Sequence, residues 1–128
     1  MDIKTVGIVG AGQMGNGIAH VMSLAGYDVM LNDVSDEALQ AALSTIDRNL
    51  ERQVSRDKIT SDDKAAAMAR IAITKTLTDL GQADLVIEAA TERETVKQAI
   101  FEDLVPHLQP HTILTSNTSS ISITRLAS

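Results

Sequence analysis

The chain has 128 residues, enough for one domain with a substantial core, and a net charge of −6 without a basic cluster argues against nucleic acid or an anionic membrane surface as partner. One Tyr and one Phe leave no stacking platform for single-stranded nucleic acid, and the lack of cysteine excludes disulfides and a thiolate zinc site. No apolar run approaches the ~20 residues of a membrane span and no targeting segment precedes the first strand, so a soluble, cytoplasmic protein is expected.

Thr5 to Val9 is an apolar run of strand type that ends in Gly10-x-Gly12-x-x-Gly15. After it, Met14, Ile18, Val21, Met22 and Ala25 recur at the three-to-four spacing of a helix and are expected to face the core. In such a strand-to-helix turn Gly10 allows the tight bend, Gly12 lets the main chain approach a pyrophosphate, and Gly15 lets the helix pack closely. The N–H groups of the helix start then form an anion site without a basic side chain. Glycine spacing alone is weak evidence, since kinases place the same spacing between two strands. Its partner lies downstream. Gly26 stops the helix, and Asp28 to Asp33 reads as a second buried strand whose closing acid falls 18 residues after Gly15, against an expected ~20. An acid there accepts hydrogen bonds from an adenosine ribose diol and repels a 2′-phosphate. Val34 follows, with neither cation nor hydroxyl, so the pattern points to NAD(H) rather than NADP(H). The plain alternative is that Asp33 only ends a strand before the helix cap Ser35.

Ser35 opens a long helix with Leu39, Leu43, Ile46, Leu50 and Val54 inward. Asn49, Arg52 and Arg56 collect on the opposite face with Lys58 just beyond, a row that is ordinarily only solvated. Thr60-Ser-Asp-Asp63 caps a second, alanine-rich helix running to about Arg70, which places a helical pair between strands two and three. Ile71 to Thr74 is a short third strand, Leu77 to Gly81 a connecting turn, and Asp84 to Glu88 a fourth, central strand. Glu88 is as readily a backbone hydrogen-bonding group as a cofactor contact. Thr91-x-x-Glu94 is a capping box, so a helix carrying Val96, Ile100 and Leu104 inward runs to Pro106, with Glu92 and Arg93 at its start. Strand five, Thr112 to Ser116, leads into Asn117-Thr-Ser-Ser120, and Ser122 caps a last helix. The connectivity β-α-β-(αα)-β-β-α-β describes an α/β, doubly wound, mainly parallel Rossmann-type domain over residues 1–128, whose ligand edge lies at the carboxyl ends of the strands.

Laid out in this way, the chain resembles the N-terminal NAD-binding domain of the L-3-hydroxyacyl-CoA dehydrogenase family, the 3-hydroxybutyryl-CoA dehydrogenases among them. The likeness covers essentially the whole chain: Gly10 to Gly15 with Ile18-Ala-His20, Asn32-Asp33, the helical pair, Val86 to Ala89, Glu92, Lys97 and above all Ser116-Asn-Thr-Ser-Ser120, which generic Rossmann domains have no reason to share. The resemblance implies that Gly10, Gly12, Gln13, Met14 and Gly15 hold the pyrophosphate and Asp33 the adenosine ribose. It places Glu92 and Lys97 near the nicotinamide half, Asn117 among the cofactor-binding residues, and Ser119 both beside the cofactor and on the substrate's 3-oxygen. Asn49 and Arg56 would contact CoA, while Arg52 and Lys58 stay unassigned.

The implied chemistry is reversible oxidation of a (3S)-3-hydroxyacyl-CoA to the 3-oxoacyl-CoA, with NAD as cofactor, an acyl-CoA as substrate and no metal. The family's general base, a histidine oriented by a glutamate, lies on the strand after the Ser-Asn-Thr-Ser-Ser segment, and here the sequence departs from the pattern by ending first. His20 reads as a packed or half-exposed residue of the first helix, and His107 and His111 flank Pro106 and Pro110 in a turn. The helical C-terminal domain that closes over the acyl chain and forms the family's homodimer is likewise not in these residues. The expectation is therefore the cofactor-binding part of a longer enzyme, able to bind NAD(H) but to turn over little substrate alone. Two rivals stand beside it: an NAD-dependent dehydrogenase of a non-CoA 3-hydroxy acid or sugar acid, resembling lambda-crystallin, and a non-catalytic module that reads NADH.

Overall fold

The computed structural model describes residues 3–89, 102, 106, 108 and 112–116. Five strands form one sheet: β1 (Thr5–Val9), β2 (Asp28–Asn32), β3 (Ile71–Thr74), β4 (Leu85–Glu88) and β5 (Ile113–Ser116), in the order β3-β2-β1-β4-β5. Every neighbouring pair is parallel, with Gly7 opposite Met30 on one side and Val86 on the other. β1 is therefore central, and Val6, Ile8 and Val9 are all buried, which is why its sequence is an unbroken apolar run rather than an alternating one. The chain grows outward from β1 through β2 to β3, then returns to the other side of β1 for β4 and β5. At that reversal an open α/β sheet leaves a crevice outside its carboxyl edge.

One sheet face is covered by three helices, α1 (Gln13–Leu24), α2 (Asp36–Ser55) and α3 (Ser61–Ala69), whose buried Ala19, Leu39, Ala42, Ile46, Leu50 and Ala67 join Val6, Ile8, Val29 and Leu31 in the main core. The other face carries a smaller core of Val9, Leu80, Ala83 and Val86. Leu80 comes from a 3-10 helix, Leu77–Gln82, where the sequence suggests only a turn. It fits there because β1 has a glycine opposite: a Cβ on Gly7 would stand 3.1 Å from Leu80 Cδ2.

The inward face of α1 differs from expectation. Met14 and Val21 are exposed, at 48% and 63%, as is Ala25, whereas Gly15, Ala19 and Ser23 are buried. The reason is proximity: a Cβ on Gly15 would lie 1.7 Å from the carbonyl oxygen of Gly10, so the helix sits too close to the first turn for large side chains to face it. The helix ends in a Schellman turn, Tyr27 N–H donating to Met22 O and Gly26 N–H to Ser23 O, and Arg70 Nη1 also donates to Ser23 O at 2.8 Å.

The helical pair forms as expected. Ser35 caps α2, its hydroxyl accepting from Ala38 N–H at 3.1 Å, and the buried stripe is Leu39, Ala42, Ile46 and Leu50, with Leu43 and Val54 only half-buried. Thr60 and Asp63 cap α3 reciprocally, each side chain accepting from the other's main-chain N–H at 3.0 Å. These bonds from Thr60, its backbone's first, hold the Asp63 carboxyl below its ordinary value. Lys64 reaches back to Glu51 at 2.8 Å and Asp47 at 3.2 Å, which raise its ammonium above the usual range. Asp84, expected to open β4, stands just before it and accepts from the N–H groups of Lys4 and Thr5 at 2.9 and 3.1 Å. Similarly Thr112 precedes β5 and donates its hydroxyl to Ala83 O at 2.8 Å. The helix expected after Thr91 and the one after Ser122 lie outside the described residues. Among those described, no helix is long and apolar enough to cross a membrane and no group of metal-ligating side chains gathers.

Candidate functional site

At the carboxyl ends of β1 and β2 the glycine turn and Asp33 meet. Gly10 takes φ 106°, a conformation that L side chains rarely adopt, and its N–H donates to Asn32 O at 2.7 Å. The next amide, Ala11 N–H, donates to Asp33 Oδ2 at 2.9 Å, and the other carboxylate oxygen accepts from Ser35 N–H at 2.9 Å. Asp33 thus fastens the glycine turn to the start of α2. Both its oxygens keep a lone pair for further donors, since a carboxylate accepts about four hydrogen bonds. Behind it, the half-buried carboxylate is backed by Asn32, whose buried Nδ2 donates to Thr74 O at 3.2 Å, while Asp33 N–H reaches the same carbonyl at 3.2 Å. β3 therefore sets the end of β2, and β2 sets the turn.

The anion side of the site is built by α1. Gly12 is its N-cap, makes no side-chain cap bond, and no acidic residue stands in the first turn, so the positive end of the helix dipole is not neutralised there. Apart from its immediate chain neighbours, no described residue comes within 4 Å of the place a Cβ would take on Gly12, which leaves room for a phosphate to approach the main chain. Gln13 and Met14 are exposed beside it and help line a shallow apolar hollow of about 370 Å³ with Gly17, Ile18, Val21 and Met22. The charge pattern reverses at α2, where Asp36 and Glu37 occupy the first turn next to Asp33 and the Ser35 hydroxyl is already engaged as cap. A 2′-phosphate would meet the Asp33 carboxylate and the acidic first turn of α2 there, whereas an uncharged ribose diol would find an acceptor. The residues present suit an adenine dinucleotide with a free 2′-hydroxyl.

Gly10, Gly12, Gln13, Met14, Gly15 and Asp33 are thus brought together. Asn49 is half-buried and Arg52, Arg56 and Lys58 are exposed, so the polar row of α2 borders its buried stripe on Asn49's side rather than standing wholly opposite it. His20 is half-buried, with Nε2 2.7 Å from Gln53 Oε1. Glu88 is fully buried at the end of β4, in register with Val9 and Ser116. Glu92, Lys97, Asn117 and Ser119, with His107 and His111, lie outside the described residues. The supporting role of Asn32 and the His20–Gln53 contact carry no signal in the sequence, because each joins residues from separate elements.

The tight glycine turn, the uncapped helix start that follows it and the acid at the end of β2 define the class: a dinucleotide-binding domain of Rossmann type. More narrowly, the chain belongs to the family described as the NAD binding domain of 3-hydroxyacyl-CoA dehydrogenase, whose model matches residues 5–128. A 3-hydroxybutyryl-CoA dehydrogenase of Bradyrhizobium diazoefficiens is 56% identical over 125 residues, covering 98% of this chain and 43% of that protein. A 3-hydroxyadipyl-CoA dehydrogenase of Escherichia coli is 43% identical over 127 residues, covering 99% of this chain and 27% of that protein. Among solved structures, the (S)-3-hydroxybutyryl-CoA dehydrogenase of Ralstonia eutropha superposes with a TM-score of 0.90 at 46% identity, over 98% of this chain and 44% of its own. The chain spans less than half the length of these relatives.

Proposed function

We propose that this chain is the NAD(H)-holding part of an enzyme that interconverts (3S)-3-hydroxyacyl-CoA and 3-oxoacyl-CoA. The observation that carries the cofactor reading is the junction of Ala11 N–H with the Asp33 carboxylate, which sets the phosphate cradle and the ribose acceptor in one rigid unit. The substrate reading is supported by the relatives' names and by the Ser116-Asn-Thr-Ser-Ser120 string.

In this reading Gly10, Gly12, Gln13, Met14 and Gly15 bind the pyrophosphate and Asp33 orients the adenosine ribose, fixing the nicotinamide end over the carboxyl edge of β4 and β5. Glu92, Lys97 and Asn117 border that end, and Ser119 donates its hydroxyl to the substrate's 3-oxygen. Asn49 and Arg56 hold the CoA moiety. Bound NAD supplies the hydride acceptor. The proton from the 3-hydroxyl goes to a histidine that the family resemblance places after residue 128. The intact protein is a cytoplasmic homodimer joined through a further helical domain.

The intact protein is mixed with NADH and acetoacetyl-CoA and the loss of NADH absorbance followed, alongside NADH and NADPH fluorescence titrations. Turnover with the CoA ester and a clear preference for NADH are expected. Turnover only with free 3-oxo acids or sugar acids would replace the substrate reading, and NADH binding without turnover of any such substrate would leave a binding module. Failure to take up NADH would overturn the proposal altogether.

A further inference from the structure

The dinucleotide helix and the polar row of α2 meet at one contact that the reading above leaves unused. Gln53 Oε1 can only accept, so His20 Nε2–H donates to it across 2.7 Å, and both residues are half-buried. Gln53 stands between Asn49 and Arg56, four residues from one and three from the other, a spacing that sets the three side by side on one helix face. Its main chain is held too. The Gln53 carbonyl accepts from Lys58 N–H at 2.9 Å in the turn that closes α2, where Arg56 is the C-cap and Asp57 takes φ 57°. Lys64 of α3 grips α2 separately through Asp47 and Glu51. The last turns of α2 are therefore braced by α1 and by α3, and the brace from α1 ends beside Arg56. The directional hydrogen bond from His20 adds to the apolar packing of Ile46 and Leu50 and fixes the roll of α2 against α1.

We infer that His20 is a positioning residue: through Gln53 it sets Asn49 and Arg56 relative to the phosphate cradle at the head of its own helix, so that acyl-CoA and dinucleotide are held at one separation. The inference rests on the reading of α2 as the CoA-facing helix. On this inference His20 acts through Gln53, so its loss weakens acyl-CoA binding and leaves the dinucleotide site intact.

The test uses the intact protein, with kcat and the KM values for acetoacetyl-CoA and NADH measured for His20→Leu, His20→Gln, Gln53→Leu, Arg56→Ala and the His20→Leu/Arg56→Ala pair, and melting temperatures recorded alongside. His20→Leu and Gln53→Leu are expected to raise the acetoacetyl-CoA KM roughly three- to tenfold, with the NADH KM and kcat within about twofold. His20→Gln, which retains a donor toward Gln53, restores the wild-type value. The double variant raises the KM by less than the product of its two single effects. If Arg56→Ala raises that KM while His20→Leu and Gln53→Leu do not, the inference is overturned and the CoA reading stands. When neither Arg56→Ala nor His20→Leu moves it, α2 does not face CoA and both fall. A parallel loss in both KM values and kcat shows a merely structural role and also overturns the inference. Should His20→Leu not fold, Gln53→Leu decides the matter.

Discussion

Gly15→Ala adds a single methyl group where the structure has least room. The new Cβ would stand 1.7 Å from the Gly10 carbonyl oxygen and 2.8 Å from its carbonyl carbon, both main-chain atoms of the turn that makes the phosphate cradle. No rotamer relieves this, because a Cβ is fixed by the backbone. For the contact to reach even 3.0 Å, α1 must withdraw from the turn by more than about 1 Å. Overpacking of that kind costs about 3 kcal/mol at the upper end of its usual range, and in a domain of this size about 10 °C in melting temperature. Dinucleotide affinity is expected to fall as well, on the order of a hundredfold, a loss comparable in free energy with that in stability, because the same ~1 Å displacement moves the positioning groups. Gly17→Ala is the matched control: it lies in the same helix, a Cβ there meets no described atom within 4 Å, and replacing a mid-helix glycine by alanine stabilises by about 0.5–1 kcal/mol. Thermal unfolding and NADH fluorescence titration of the two variants against wild type make the comparison. A Gly15→Ala protein that melts with the wild type and binds NADH equally well would refute the packing argument.

Two further substitutions probe the acid groups. Asp33→Asn keeps the shape but removes the charge that accepts from Ala11 and Ser35, so NADH affinity is expected to fall about ten- to a hundredfold and the preference over NADPH to narrow; titration with both nucleotides checks it, and an unchanged ratio would count against Asp33 as the ribose group. Asp63 is ionised more readily when folded than at its ordinary value of 3.8 because Thr60 donates to it. The stability this contributes is complete above pH 3.8 and drains away as pH falls through the lower folded value. Denaturant midpoints measured from neutral pH downward should therefore fall less steeply below pH 4 in Asp63→Asn than in wild type.

What the sequence discloses and what it hides divide along physical lines. The glycine turn, Asp33 and the Thr60 cap are legible because each is a backbone requirement met by only a few residue types at fixed spacing. The helical pair is legible because Leu39, Ile46 and Leu50 are large and apolar as well as inward. The inward face of α1 is hidden for the opposite reason: Gly15, Ala19 and Ser23 are chosen for smallness, and a search for apolar periodicity selects Met14 and Val21, which are exposed. Leu80 is hidden because six residues of 3-10 helix are too few to show a period. His20 and Gln53 stand 33 residues apart and leave no local trace. The roles proposed for Ser119 and Glu92 rest on family likeness alone, since a turn and a helix start account equally well for their residue types.

The all-parallel ladder also bears on how the chain finds its fold. No two neighbouring strands can zip up as a hairpin, because each pair is separated by a crossover. Thr5 meets Asp28 after one helix, but Val6 meets Leu85 only after the whole helical pair and β3 have been made. Loop-closure entropy therefore opposes the pairing of β1 with β4 more than its pairing with β2. The β1-α1-β2 unit also contains the glycine turn and its Asp33 fastening, so the more local of the two pairings of β1 is the one that assembles the candidate nucleotide site. Nucleotide bound at that site is then expected to speed refolding by favouring the less local pairing of β1 with β4, which refolding followed with and without NADH checks.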